Sequence, residues 1–150
     1  MSKPLKWGKP KIEFLKNQDG GIPDSPSWQL MPTPVENTTK ISTEKGDKKE
    51  AKIEGGEVIA VRVGKSKYTL EFELYDHKGF TPPIPEDDGL VEGNYAFRIT
   101  YEDDSIEGIQ IDNAAVSAER TWDSENGAKI KYICEVLKPK TGKTIKPYSG

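Results

Sequence analysis

The chain has 150 residues, 33% of them hydrophobic and 31% charged, with a formal net charge of −3. This length suits one domain, and so low an apolar fraction predicts a thin core and some surface that is buried only on association. The single cysteine, Cys134, excludes an internal disulfide, and the single histidine, His77, disfavours His-rich metal sites and catalytic triads. We therefore expect no enzymatic activity, no cofactor and no bound metal.

Apolar residues at every second position predict a meander of β-strands in a single domain, residues 1–150. Residues 67–75 show this alternation most clearly, which is typical of a strand with one buried face. Hairpin loops are expected at 64–66 and at 126–127, where glycine permits a tight turn. The predicted strands are, in chain order, 11–16, 57–63, 67–75, 94–101, 106–112, 114–122 and 128–137.

The segments between these strands are long and polar. Residues 17–36 are rich in glycine and proline and predict a surface arm, while 43–56 carry dense mixed charge and predict a mobile loop or a protruding hairpin. Prolines make 80–93 a loop, and helix signal is nearly absent. The expected fold is therefore all-β, an antiparallel β-sandwich or barrel with long polar loops and little helix. No apolar run could span a membrane, and the first residues do not resemble a secretory signal.

Charge is unevenly distributed along the chain. Residues 1–16 and 138–150 together carry nine lysines and one acid, so the remaining body is strongly acidic. Two interpretations stay open: the lysines keep solvated ends soluble, or the ends of one subunit lie against the acidic body of another. A nucleic-acid-binding domain needs a basic face, so an acidic body disfavours a protein that grips DNA or RNA.

Carboxylates are the only candidates for catalytic or metal-binding chemistry. Glu71 and Glu73 lie on one face of a predicted strand, as a glycosidase pair could, although a solvated or subunit-facing strand explains them more simply. The acidic turns at 86–89 and 102–104 carry oxygen ligands for Ca²⁺ but lack the alternating spacing of a calcium loop. Cys134 falls on an apolar strand face, which predicts a small core residue.

Residues 38–43 (TTKIST), 44–51 (EKGDKKEA) and 54–58 (EGGEV) resemble the major tail tube protein of long-tailed bacterial viruses. The similarity extends over most of the chain, and the first 30 residues contribute least. Further residues that carry it are the strand pair 58–63 and 68–75 and the ending 137–139 (LKP), 141–144 (TGKT) and 146–148 (KPY).

The resemblance implies a β-sandwich or barrel subunit that forms a ring, typically a hexamer. Such rings stack into a hollow tube through which the genome passes, as in contractile tails and the type VI secretion tube. The implied partners are further copies of the chain and other tail proteins, while DNA crosses the lumen without specific binding. The implied location is the virion tail, with the host cytoplasm during assembly. Family members usually carry one helix beside the sandwich, and this sequence indicates none.

Within that expectation, the polar face of strand 67–75 makes Glu71 and Glu73 the predicted lumen-facing acids, with Glu119 and Glu135 as rivals. An acidic lumen would repel DNA phosphates and let the genome slide. The charged loop 43–56 is the predicted contact between stacked rings. The residues assigned to that contact are Lys45, Asp47, Lys48, Lys49 and Glu50.

Two other classes of protein stay open. A carbohydrate-binding or cell-surface β-sandwich module would use Trp7, Trp28 and Trp122 to stack on sugars, although Trp122 can also be interpreted as a core residue. A β-barrel enzyme would use Glu71 and Glu73 as its paired carboxylates.

Overall fold

The computed structural model describes residues 5–18, 21–103, 105–139 and 142–148. These residues form ten β-strands and no helix, so the predicted all-β class is confirmed and no described helix could cross a membrane. The strands are β1 (Lys11–Lys16), β2 (Gln29–Leu30), β3 (Lys40–Glu44), β4 (Lys48–Lys52), β5 (Val58–Val63), β6 (Lys67–Tyr75), β7 (Leu90–Thr100), β8 (Gly108–Asp123), β9 (Gly127–Val136) and β10 (Ile145–Tyr148).

Strand β8 organises the main sheet, because its 16 residues make it longer than any neighbour. The antiparallel order is β2-β1-β7-β8-β9-β6-β3, and β4 and β5 form a separate two-stranded sheet. One edge of β8 pairs with β7, while the other pairs with β10 up to Ile111 and with β9 from Ala114 onward. Since β2 and β3 stand at opposite ends of this order, the sheet is not closed into a barrel.

The main sheet curls until side chains from distant strands meet. The rings of Phe72 on β6 and Phe97 on β7 have centroids 6.4 Å apart, although β8 and β9 lie between those strands. Three inter-strand steps across a flat sheet would span about 14 Å. The pairing of β7 shifts register between Tyr95 and Phe97, and such an irregularity increases local twist and bends a strand. The curled sheet therefore packs its inner faces against each other as a sandwich does.

Alternate residues of β6 and β9 form the centre of this core, as predicted. The residues with at most 1% of their surface exposed on these two strands are Leu70, Phe72, Leu74, Ile130, Tyr132 and Cys134. The loop between β6 and β7 closes one end of the core, because Ile84 is fully buried and its carbonyl accepts a 2.8 Å hydrogen bond from the Tyr132 hydroxyl. Burial raises the pKa of Tyr132 to about 12, so this hydroxyl keeps its proton at neutral pH.

Several predicted boundaries were wrong. Residues 106–112 and 114–122 belong to one strand, β8, because Asn113 continues the strand where its polarity suggested a break. The predicted hairpin at 64–66 does not exist: β5 pairs with β4, whereas β6 pairs with β3 and β9. β3 and β4 were missed because their polar residues show no useful alternation. The hairpin predicted between 114–122 and 128–137 is confirmed, but its loop is 124–126 instead of 126–127, since Gly127 begins β9 and pairs with Asp123.

The arm at 17–36 is less exposed than a free surface segment would be. It contributes β2, which pairs with β1, and two buried side chains, Met31 and Val35. The backbone amide of Met31 donates to the Ile12 carbonyl at 2.8 Å. Of the residues used in the sequence analysis, Lys3, Asp104, Lys140 and Thr141 lie outside the described part of the chain.

Substituting Phe72→Ala should lower the free energy of unfolding by about 3–5 kcal/mol, because it leaves a cavity between Phe97 and Tyr132. Urea denaturation followed by tryptophan fluorescence measures the change. The matched control is Tyr75→Ala, an aromatic truncation on the same strand whose side chain is 53% exposed. That control should cost about 1 kcal/mol or less, and equal losses in the two variants would contradict the assignment of Phe72 to the core.

Candidate interaction surfaces

The β4–β5 hairpin lies between β3 and β6 in the chain and projects from the main sheet as a separate two-stranded sheet. Every residue of both strands is exposed. Its turn is closed by hydrogen bonds from the Ile53 amide to Glu57 and from the Gly56 amide to Ile53, and Gly55 and Gly56 both adopt positive φ, which glycine permits. At the base, the Gly64 amide donates to the Asp47 carbonyl at 2.8 Å. Of the two alternatives predicted for 43–56, a mobile loop or a protruding hairpin, the structure has the second, with this segment supplying β4 and the turn.

One face of this hairpin combines apolar side chains with an ion-paired stripe. Val61 lies opposite Glu50 and Val63 lies opposite Lys48, so these four residues share a face. Val61 and Val63 are 53% and 57% exposed. On β4, the Glu50 carboxylate forms ion pairs with Lys48 and Lys52, whose Nζ atoms lie 2.8 and 3.8 Å from its oxygens. Since an isolated two-stranded hairpin is only marginally stable in water, a partner covering this face would stabilise it.

The structure places the five predicted contact residues at or near this hairpin. Lys48, Lys49 and Glu50 belong to β4, and Asp47 lies at the hairpin base. Lys45 precedes them in the connection from β3. The apolar residues of β5, which were predicted as an ordinary strand, are the part of this surface that the sequence analysis did not assign to it.

All four predicted lumen acids share the outer face of strands β6, β9 and β8. In the register, Glu73 lies opposite Lys131, which in turn lies opposite Glu119. Glu71 and Glu135 fall on the same side, because they differ from these positions by two residues along their strands. Glu119 and Glu135 are exposed, whereas Glu71 and Glu73 are half-buried. A period of two was the signal that grouped them, and the strand pairing brings them together.

Lysines largely compensate these acids. Nζ of Lys40 and Nζ of Lys131 lie 3.5 and 3.6 Å from Glu71 Oε2. Lys129 lies on the same face as Lys131, two residues earlier on β9. Glu44, Lys67 and Asp123 share this face as well, so six carboxylates lie among four lysines, and the excess of two negative charges makes the face mildly acidic.

The three tryptophans have different environments. Trp7 and Trp122 are each 72% exposed, so the interpretation of Trp122 as a core residue was wrong. The Trp28 ring lies 4.0 Å from the Arg98 guanidinium, and the Tyr148 ring lies 4.4 Å from the same group. These cation–π contacts join the arm and β10 to β7. Trp28 is therefore engaged within the chain, and only Trp7 and Trp122 are placed to stack on an external sugar.

A polar cluster beside this stack was missed by the sequence analysis. Gln110 accepts a hydrogen bond from Arg98 Nε at 3.2 Å and donates to Asp112 Oδ1 at 2.7 Å. The Asp112 carboxylate also forms an ion pair with Lys146, whose Nζ lies 2.7 Å away, and its backbone carbonyl accepts a hydrogen bond from Asn17 Nδ2. Gln110 and Asp112 alternate with Ile109 and Ile111, so they lie on the side of β8 opposite those isoleucines. They are buried because the arm and β10 cover that side.

The acidic turn at 86–89 serves the fold itself. The Glu86 carboxylate accepts a hydrogen bond from the Gly89 amide at 2.9 Å and forms an ion pair with Arg120, whose Nε lies 2.6 Å away. The Gly89 amide and the Arg120 side chain lower the pKa of Glu86 below its ordinary 4.5. Within the described ranges, no group of three or more His, Cys, Asp or Glu residues is placed to hold a metal ion. Cys134 is a buried free thiol, and burial raises its pKa.

A scan against protein-family models finds no match for this sequence, and a search of curated proteins finds no significant relative.

Replacing Glu86 by Gln should make the thermal stability of the protein less dependent on acid pH. A carboxyl whose folded pKa is lowered stabilises the fold fully above its unfolded pKa, here about 4.5, and loses that effect as pH falls through the folded pKa. The Tm difference between wild type and E86Q should therefore be largest at neutral pH, begin to fall near pH 4.5 and disappear once the pH lies below the folded pKa. Thermal scans from pH 7 to pH 3 measure it, with the exposed turn substitution E125Q as control. A difference independent of pH would contradict the assigned role.

Proposed function

We propose that this chain is a structural subunit of a bacterial-virus tail tube, which assembles with copies of itself into rings that stack as a hollow conduit for DNA. The observation that carries the proposal is the β4–β5 hairpin, whose residues are all exposed although β5 carries valine and isoleucine. Burying those side chains against a second copy would stabilise both the hairpin and the assembly. The resemblance described above supports the tail tube over other self-assembling proteins.

Ring formation has support in the open sheet. The outer edges of β2 and β3 pair with no other strand among the described residues, and exposed edges are templates for pairing with another chain. Contacts between two different surfaces close into a ring when the rotation between copies permits it, and further head-to-tail contacts then stack those rings. We infer rings of six from the resemblance alone.

The conduit role has support in the outer face of β6, β8 and β9. A surface whose carboxylates outnumber its lysines repels DNA phosphates on balance, so a genome can pass without sticking. We propose that this face, with Glu71, Glu73, Glu119 and Glu135, lines the lumen. The proposal assigns no catalytic role to any of these carboxylates.

A second candidate function is a carbohydrate-binding module. It is favoured by one observation, the 72% exposure of both Trp7 and Trp122, because exposed indole rings stack on sugar faces. A glycan array distinguishes the two functions. Specific glycan binding that is lost in W7A or W122A would favour the module.

Replacing residues 48–63 by two glycines should leave a folded subunit and abolish long tubes. The backbones of Asp47 and Gly64 are already hydrogen-bonded at the hairpin base, so a short linker can join them. Circular dichroism and thermal unfolding check the fold, and negative-stain electron microscopy with light scattering over a concentration series checks assembly. The control substitution E125A, in the exposed turn between β8 and β9, should assemble as the wild type does. Tubes of normal length from the shortened chain would contradict the role of the hairpin.

The combined substitutions E73K, E119K and E135K should give tubes that retain nucleic acid, because they change the proposed lumen face from mildly acidic to strongly basic. Glu71 is left unchanged because it is paired with Lys40 and Lys131. Co-sedimentation of tubes with short duplex DNA at several salt concentrations measures retention, which should fall steeply as salt rises. Unchanged DNA retention by assembled tubes would place this face outside the lumen.

A further inference from the structure

A groove with a volume of about 890 Å³ opens at the end of the main sheet where β3 begins. One wall is the segment 6–10 that leads into β1, and the other is the segment 33–41 that leads into and begins β3. Ile99, Tyr101 and Ile109, at the adjoining ends of β7 and β8, complete the lining. Ile99 and Val35 are buried, so the groove has an apolar base. Its volume lies in the range of clefts that hold ligands or short chain segments.

The wall formed by 33–41 is anchored to the sheet. The Val35 amide donates to the Glu73 carbonyl at 2.8 Å, and the Thr38 hydroxyl donates to the Val35 carbonyl at 2.7 Å. The same hydroxyl accepts a hydrogen bond from the Glu73 amide. Beside it, Thr39 Oγ1 is buried and has no hydrogen-bond partner among the described residues. A chain segment entering the groove could supply the partner that this buried hydroxyl lacks.

The groove and the hairpin tip have complementary charge. Lys6, Lys9 and Lys40 line the groove with a single acid, Glu36, and Lys40 is already paired with Glu71. The remaining lining charges, Lys6 and Lys9 against Glu36, are basic by one charge; Lys6 Nζ also lies 5.9 Å from the Tyr101 ring centroid, and the Glu102 side chain lies against Gly8. The turn of the β4–β5 hairpin, residues 53–57, carries Glu54 and Glu57 together with Ile53, which is 47% exposed. An acidic turn with one apolar side chain matches a basic groove with an apolar base.

The topology separates the groove from the hairpin of the same subunit. Lys40 and Ile41 line the groove at the start of β3, whereas the hairpin departs after Glu44, at the opposite end of β3. Those ends are about 13 Å apart along the strand, at 3.3 Å per residue. The groove and the base of the hairpin thus lie at opposite ends of β3, an arrangement that a head-to-tail contact between identical subunits can use.

We propose that this groove is the receptor for the hairpin turn 53–57 of a second copy of the chain. The inference rests on the proposed self-assembly and identifies the surface that receives the hairpin. Ile53 contacts the apolar base, and Glu54 and Glu57 lie against Lys6 and Lys9. Each contact is small, so a single pair of subunits associates weakly. Simultaneous contacts between many copies make the assembly stable.

Charge reversal on each side tests the pairing. The variants E54K/E57K and K6E/K9E should each raise the lowest concentration that gives assembly by about tenfold or more, because like charges then face each other. All four residues are exposed, so the subunit fold should be unchanged. Combining the four substitutions in one chain should return assembly to near the wild-type concentration, and the control E125K should have no effect. Normal assembly of K6E/K9E, or no recovery in the combined variant, would overturn the proposal.

A cross-linking experiment separates this inference from the proposed function, because it detects pairwise contact without tubes. I53C and T33C variants are mixed at equal concentration and treated with a short bis-maleimide, while the buried Cys134 stays unreactive. A cross-link formed in the mixture, but not in either variant alone or between I53C and E125C, would support the groove as receptor. Tubes without this cross-link would overturn the groove assignment and leave the proposed function standing. The cross-link without tubes would support the groove assignment and overturn the proposed function. If neither the cross-link nor tubes form, both proposals are overturned.

Discussion

Strand β8 pairs with other strands along both of its edges, and the rest of the structure depends on this constraint. Its 16 residues pair along one edge with β7 and along the other with β10 and then β9, so it holds together three strands from the second half of the sequence. This pairing forces β7 and β9 onto opposite sides of β8, and the curl of the sheet then brings Phe72 against Phe97. With the core closed by one curled sheet, the outer faces of β6 and β9 carry no covering layer within the described part of the chain. Those faces and the free edges are what the proposed assembly uses.

The alternation of apolar residues was sufficient to predict the core strands. Residues 11–16 and 67–75 match β1 and β6, because each buries every second side chain against the same core. The same reasoning could not find β3 and β4, in which Ile41 and Ala51 are the only apolar residues. Their pairing depends on partners far along the chain, so no local pattern reveals it. For the same reason the loop at 64–66 was mistaken for a hairpin, although Gly64 lies at the base of another one.

The candidate surfaces were likewise predicted only in part. The five charged residues assigned to inter-ring contact were visible as a cluster in sequence, and four of them lie at or in one strand of the hairpin. The apolar residues of β5 were assigned to an ordinary strand, since nothing local distinguishes Val61 beside solvent from Val61 in a core. Gln110 and Asp112 were assigned to no site. β10 and the arm cover them, and a hydrogen bond between them, with contacts to Arg98 and Lys146, satisfies the buried groups.

The composition of the hairpin also bears on the lifetime of a subunit that has not assembled. Lys48, Lys49, Lys52 and Arg62 lie on two exposed strands that carry no other layer of the fold. Proteases cut extended backbone that can leave its pairing at low cost in free energy, and a two-stranded ribbon is such a segment. An isolated subunit therefore offers basic cleavage sites on the element that is proposed to join it to its neighbours. Cleavage there would remove the joining element and spare the curled sheet, so damaged subunits would be excluded from a growing tube.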